Sequence, residues 1–126
     1  MLNLKVLLQK LTELAYVPVQ QGSSVTMTVT KGTLTASKYV KYGHVMQMVL
    51  NIKNSSSIGA GNDIFEAKLD SAFYPSNGGL VCGCGYYGAR AILWQIISDG
   101  RIVVRNAGGS SLSANSVCTI YCTYMV

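Results

Sequence analysis

The side chains best suited to nucleophilic, acid–base or metal chemistry in this 126-residue chain are four cysteines, one histidine and five carboxylates. Cys82 and Cys84 are two apart and Cys118 and Cys122 four apart, so within strands each pair points to a single face. Structural zinc is normally held by C-x2-4-C knuckles at turns. C-x-C does not match that spacing, and the second pair sits inside a strand-like run, so no metal is expected. Both pairs share their faces with apolar residues, Leu80 and Tyr86 for the first and Ile120 and Tyr124 for the second. They therefore read as small buried hydrophobes. A disulfide between strands is the alternative, although a chain made in a reducing cytosol does not usually rely on one.

His44 has the parity of Met46, Met48, Leu50 and Ile52, which predicts a buried or rim position rather than a catalytic one. No G-x-S-x-G elbow, Walker loop or G-x-G-x-x-G fingerprint is present. Glycosidase chemistry needs two carboxylates about 5 to 9.5 Å apart. Of the acids, Asp99 belongs to a turn, Glu13 to a helix, and Asp63 and Asp70 border loops, leaving Glu66 as the acid within a strand. The reading is of a protein that is not an enzyme and uses no cofactor.

The elements that would position these groups change period once along the chain. Leu4, Leu7, Leu11 and Leu14 are spaced three, four and three, the a/d pattern of a two-heptad seam. Isolated helices of this length are marginal, so the seam requires partners, other helices or the chain's own β-domain. Leucine at both a and d does not separate dimer from trimer. Pro18 disfavours helix at Val17, and residues 1–17 are taken as an oligomerisation helix preceding a head domain of residues 18–126.

From there the period is two. Val25, Met27 and Val29 alternate with threonines; 34–42, 44–53, 64–69, 80–87, 90–98, 101–106 and 117–125 complete about eight short strands. That count predicts an all-β fold, a β-sandwich or jelly-roll-like head with a short N-terminal α-helix. Asp99-Gly100 predicts a two-residue type I′ hairpin. In that register Ile97 faces Ile102, Gln95 faces Val104 and Trp94 faces Arg105. Leu93, Ile97, Ile102 and Val104 would then face the core. Ile92, Trp94, Ile96, Val103, Arg101 and Arg105 would form a partly covered surface, with Trp94 either a packed aromatic between subunits or a ligand platform.

Charged residues are 12 % of the chain, about half the roughly 25 % usual in soluble proteins. So few charges on so small a domain predict apolar surface buried against other copies, hence a homo-oligomer. The net charge of +5 arises from seven lysines and three arginines scattered singly, not from the clustered patch that marks nucleic-acid binding. No run of about 18 apolar residues is present and 1–14 lacks a signal-peptide pattern, so the expectation is synthesis in the cytoplasm without membrane insertion.

The strand HVMQMVLNIKN, the segment IFEAKLDSAFYP followed by NGG, the hairpin ILWQIISDGRIVV and the closing strand CTIYCTY together resemble the head domains of bacteriophage receptor-binding and tail-tip proteins, especially those of phages or prophages of Gram-positive bacteria. The opening MLNLKVLLQKLTEL is similar to the beginnings of short prophage structural proteins. This resemblance implies a homotrimer of β-sandwich heads joined by a short helical region, made in the bacterial cytoplasm, carried on a virion beside other tail or baseplate proteins and attaching to host cell-surface saccharides. The family has no invariant ligand residues to carry over. The candidates are this chain's own: Tyr86, Tyr87 and Arg90 around the Gly88 turn, with Trp94 and Arg105 behind them. Aromatic rings can stack on sugars and Arg can bind acidic substituents, while Tyr86 and Tyr87 read equally as packed strand-end aromatics. The competing classes are a virion structural or decoration subunit without a ligand and a host-encoded trimeric lectin-like head.

Overall fold

The computed structural model describes residues 3–15, 19–22, 24–76, 81–87 and 90–126, without the side chains at 12–15, 86, 87 and 90. Helix α1 spans Leu4–Ala15 and opens with the Asn3 side chain accepting from the Lys5 N–H, an N-terminal cap. The strands that follow are β1 Val19–Gly22, β2 Met27–Thr30, β3 Gly32–Tyr42, β4 Val45–Asn54, β5 Asp63–Leu69, β6 Val81–Tyr87, β7 Arg90–Ile96, β8 Arg101–Asn106 and β9 Val117–Met125. All pair antiparallel, in a four-stranded sheet of order β1-β3-β4-β9 and a five-stranded sheet of order β2-β5-β8-β7-β6. The expected all-β fold with a short helix is what the chain adopts; β1 is a strand the alternation did not announce.

The core lies between the sheets. β4 contributes Met46, Met48, Leu50 and Ile52, and β9 contributes Cys118, Ile120, Cys122 and Tyr124, because strand side chains alternate and one parity is apolar throughout. Facing them are Ala67 and Leu69 of β5, Ile92, Trp94 and Ile96 of β7, and Ile102 and Val104 of β8. A bulge between Asp63 and Phe65 lets Ile64 and Phe65 both be buried in a strand that otherwise alternates. A 3-10 turn, Ser71–Phe73, plugs one end: the Tyr124 hydroxyl donates to the Phe73 carbonyl at 2.7 Å, and the Phe73 ring meets Tyr39 edge-on at 5.0 Å.

The β7–β8 hairpin corrects the expected register. The connection has three residues, not two: Gly100 N–H donates to Ile97 C=O, Ile97 N–H donates to Arg101 C=O, and the left-handed residue is Gly100 alone, at φ 85°. That is the pattern of a tight turn closed by a glycine bulge. The extra residue slips the pairing by one, so Ile96 faces Ile102, Trp94 faces Val104 and Leu93 faces Arg105. A one-residue slip exchanges the two faces of a strand. Trp94 is accordingly 7 % exposed in the core, and Leu93 is 52 % exposed outside it.

Trp94 also decides the parity of β6. It lies opposite Gly83, where a Cβ would overlap the indole ring, so glycine faces inward. Cys82 and Cys84 therefore face outward and are exposed, against the expectation that they are buried; Cys118 and Cys122 are buried, as expected, and all four are free thiols. His44 is exposed at the β3–β4 turn, on the rim.

The far end of the sandwich is closed by two asparagines with no solvent access. Asn54, the last residue of β4, donates from its amide to the carbonyls of Ser56 and Ser113 and accepts from the Ser116 N–H. Asn106, the last of β8, donates to the carbonyls of Ile58 and Ser110 and accepts from the Gly108 N–H. Between them Ile58 and Leu112 exchange backbone hydrogen bonds at 2.9 and 2.8 Å. Two loops without regular structure are thereby zipped into one wall.

Two expectations follow. Asn106→Ala strands buried backbone groups and lowers the free energy of unfolding by about 3 kcal/mol in a denaturant titration, whereas Gln95→Ala on the surface changes it by less than about 0.5. Burial pushes the Cys118 and Cys122 thiols up from 9.0 to about 12, and burial also raises the Tyr124 phenol. The unfolded chain thus releases these protons first, so their contribution is complete below about pH 9 and lost as pH rises towards about 12. Thermal unfolding should show a midpoint that falls across that window, and less steeply in a Cys118→Ala, Cys122→Ala variant.

Candidate functional site

Two members of the expected ligand cluster, Trp94 and Arg105, are not brought together. Trp94 is enclosed between the sheets. Arg105 lies on the opposite, outer face and is held at 3.0 Å by Asp63, so it neither stacks on Trp94 nor stands behind it. The backbones of Tyr86, Tyr87 and Arg90 close the β6–β7 hairpin, with Tyr87 opposite Arg90; their side chains lie outside the described residues. In the helix seam, Leu4, Leu7 and Leu11 are exposed, and the Leu14 side chain lies outside the described residues.

A different site is built on the β2 edge of the five-stranded sheet. Pairing places Thr30 opposite Glu66 and Val103 beyond it; the neighbouring row is Thr28, Lys68 and Arg101. These outward side chains line a shallow concavity of about 240 Å³. Thr30 and Glu66 also line a second concavity of about 540 Å³, walled by Lys31, Ser56, Ser57, Gly59, Asn62 and Asp63 over the apolar surface of Ile58 and Phe65. The two hollows share Thr30 and Glu66 and so adjoin along the β2 edge, and are together termed the groove.

Local conformation explains the groove's shape. Lys31 adopts φ 59° in the β2–β3 turn, uncommon for a residue with a side chain, and its carbonyl accepts from the Ser55 N–H at 3.1 Å, tying the turn to the loop. The 55–62 loop is held from behind by Asn54 and Asn106 through the Ser56 and Ile58 carbonyls. Thr30 Oγ1 donates to the Glu66 carbonyl at 3.0 Å, fixing the edge strand's side chain at the centre of the groove.

The charges divide into committed and uncommitted groups. Arg101 is paired with Asp99 at 2.8 Å, and the Arg101 backbone N–H, then its guanidinium, holds the Asp99 carboxyl below its ordinary range. Asp63 is committed to Arg105. Among the described residues, the side chains of Lys31, Glu66 and Lys68 enter no hydrogen bond or ion pair, although Lys68 lies close enough to Asp99 to help hold its carboxyl down. A carboxylate and two ammonium groups lining these hollows with hydroxyls and an amide can bind a polyhydroxylated ligand through many directional hydrogen bonds. The described residues contain no cluster of three or more His, Cys, Asp or Glu groups able to hold a metal ion.

Reading along the chain marked Glu66 as an acid within a strand but did not join it to the Ser/Gly-rich segment 54–62. The available signal was an asparagine ending each of two strands just before a Ser/Gly-rich loop. No family model and no curated protein matches this chain. No helix among the described residues is long and apolar enough to cross a membrane.

The division of the cysteines has a direct chemical readout. A thiol-disulfide reagent at pH 8 should label Cys82 and Cys84 of the folded protein quickly and reach Cys118 and Cys122 only on unfolding, since the thiolate is the reactive form. Rapid labelling of all four under native conditions would contradict the arrangement of β6 and β9.

Proposed function

We propose that this protein is a non-enzymatic receptor-binding head of a phage or prophage virion, a trimer of jelly-roll-like domains whose groove at Thr30 and Glu66 takes a host cell-surface saccharide. The groove carries the reading: its hydroxyls, amide and uncommitted charges lie on a rigid sheet edge and a pinned loop, the arrangement that orients a neutral or mixed-charge sugar chain at low entropic cost.

Assembly is supported by the distribution of exposed apolar side chains. Among the described residues, every large exposed hydrophobic except Leu93 is on α1 or on the outer face of the four-stranded sheet, away from the groove. The same distribution supports the second reading, a virion decoration subunit that assembles but holds no ligand.

Adsorption to bacterial cells with and without their wall polysaccharide, together with a glycan array, separates the two. Glu66→Gln combined with Lys68→Met should weaken saccharide binding by about tenfold or more while leaving the mass in solution unchanged, the loss of two charged hydrogen-bonding groups being about 1.4 kcal/mol or more. Undiminished binding by that variant would move the site elsewhere. An intact oligomer that binds no cell or glycan would favour the decoration subunit.

A further inference from the structure

The outer face of the four-stranded sheet carries a row that crosses all its strands: Val19 of β1 pairs with Tyr42 of β3, Tyr42 with Val45 of β4, and Val45 with Met125 of β9. These side chains are 55, 53, 37 and 55 % exposed respectively. We infer that this row is where the heads of the assembled oligomer meet one another, so that its partner is the same end of the sheet in a second copy; the inference rests on the oligomeric reading above.

Chain connectivity selects the partner. Ala15 ends α1 and Val19 begins the row. Four peptide steps reach at most about 14 Å, so copies whose helices associate hold the Val19 end of each row within that distance of the helix ends, close enough for the rows to meet. Helix α1 has reason to associate. Leu4, Leu7, Leu8 and Leu11 are all exposed, and at about 100° per residue they cover, together with position 14, an arc of about 120°, wider than a strict a/d seam and wide enough to be enclosed by several neighbours. The apolar stripe of the helix and the apolar row of the sheet are thus consecutive along one chain. A foreign protein covering the row would have no such tether.

Charge sets the limits of the contact. The strands of the four-stranded sheet contain no acid and carry Lys38, Lys41 and Lys53. The row is free of charge, whereas Lys38 and Lys53 point outward progressively further along the strands. Equivalent faces can approach at the row, where apolar burial rewards them, and repel one another at the lysine end, so the heads splay. The groove, on the other sheet, stays open to solvent in every copy.

The test uses the full chain in a Cys82→Ser, Cys84→Ser background, which removes the exposed thiols. Val45→Cys should be joined between copies by a bis-maleimide spanning about 10 Å, while Lys53→Cys on the same strand and face should not be. Val45→Glu should weaken association by about tenfold or more in sedimentation equilibrium, with thermal unfolding of the dilute chain confirming that it folds. Should Leu7→Cys cross-link between copies while Val45→Cys fails to, the helices assemble without the row and this inference falls alone. A chain that sediments as a monomer and cross-links at neither position would remove the oligomeric reading as well.

Discussion

At the loop end of the sandwich, the buried carboxamides of Asn54 and Asn106 each exchange water for three backbone partners. Each side chain makes two donations and one acceptance with residues of the 55–62 and 107–116 segments. A buried amide is tolerated only when so satisfied, and once satisfied it enforces one loop geometry, because any other leaves polar groups dry and unpaired. The wall of the groove hangs from these two residues. Ser56 and Ile58 are held by their carbonyls, Ser57 is tied by its hydroxyl to the Leu112 carbonyl at 2.9 Å, and Lys31 is drawn in through Ser55. A binding surface made of loops gains from such anchoring because little ordering remains to be done when a ligand arrives.

The two sheets have divided the molecule's chemistry. Every acid of the β-domain, Asp63, Glu66, Asp70 and Asp99, belongs to the five-stranded sheet or its turns, whereas the four-stranded sheet has lysines and exposed valine, tyrosine and methionine side chains. Polar rows suit a surface that must stay hydrated and select hydroxylated ligands. Apolar rows suit one that is covered. Charge is therefore unevenly spread across the β-domain: the strands of the four-stranded sheet carry three charged residues, all lysines, and no acid.

Strand positions were legible because a half-buried strand cannot avoid alternating, as β4 and β9 show from end to end. Parity of the core could be read wherever one face was uniformly apolar. It failed in β7 and the residue after it, where Ile92, Leu93, Trp94, Ile96 and Ile97 present apolar residues to both sides and only the turn decides which side is inward. The Asp99-Gly100 pair is compatible with two loop lengths, and the choice between them depends on Gly100 alone taking positive φ beneath the Tyr74 ring, where a side chain would clash. The exchange of Trp94 and Leu93 follows from that single residue, whereas the outward cysteines of β6 were misread separately, from the apolar neighbours Leu80 and Tyr86.

The amino-acid sequence by itself determined the all-β class, the N-terminal helix with its leucine stripe, most strand boundaries and the shortage of charge, since each depends on local periodicity or on composition. Tertiary structure decided which residues form the groove, that Trp94 belongs to the core, and which outer face is apolar. Those outcomes depend on pairing register and on side chains far apart in sequence: Thr30 meets Glu66 across strands, and Asn54 reaches Ser113. Local patterning specifies what a segment is; only the pairing of distant segments specifies what it stands beside.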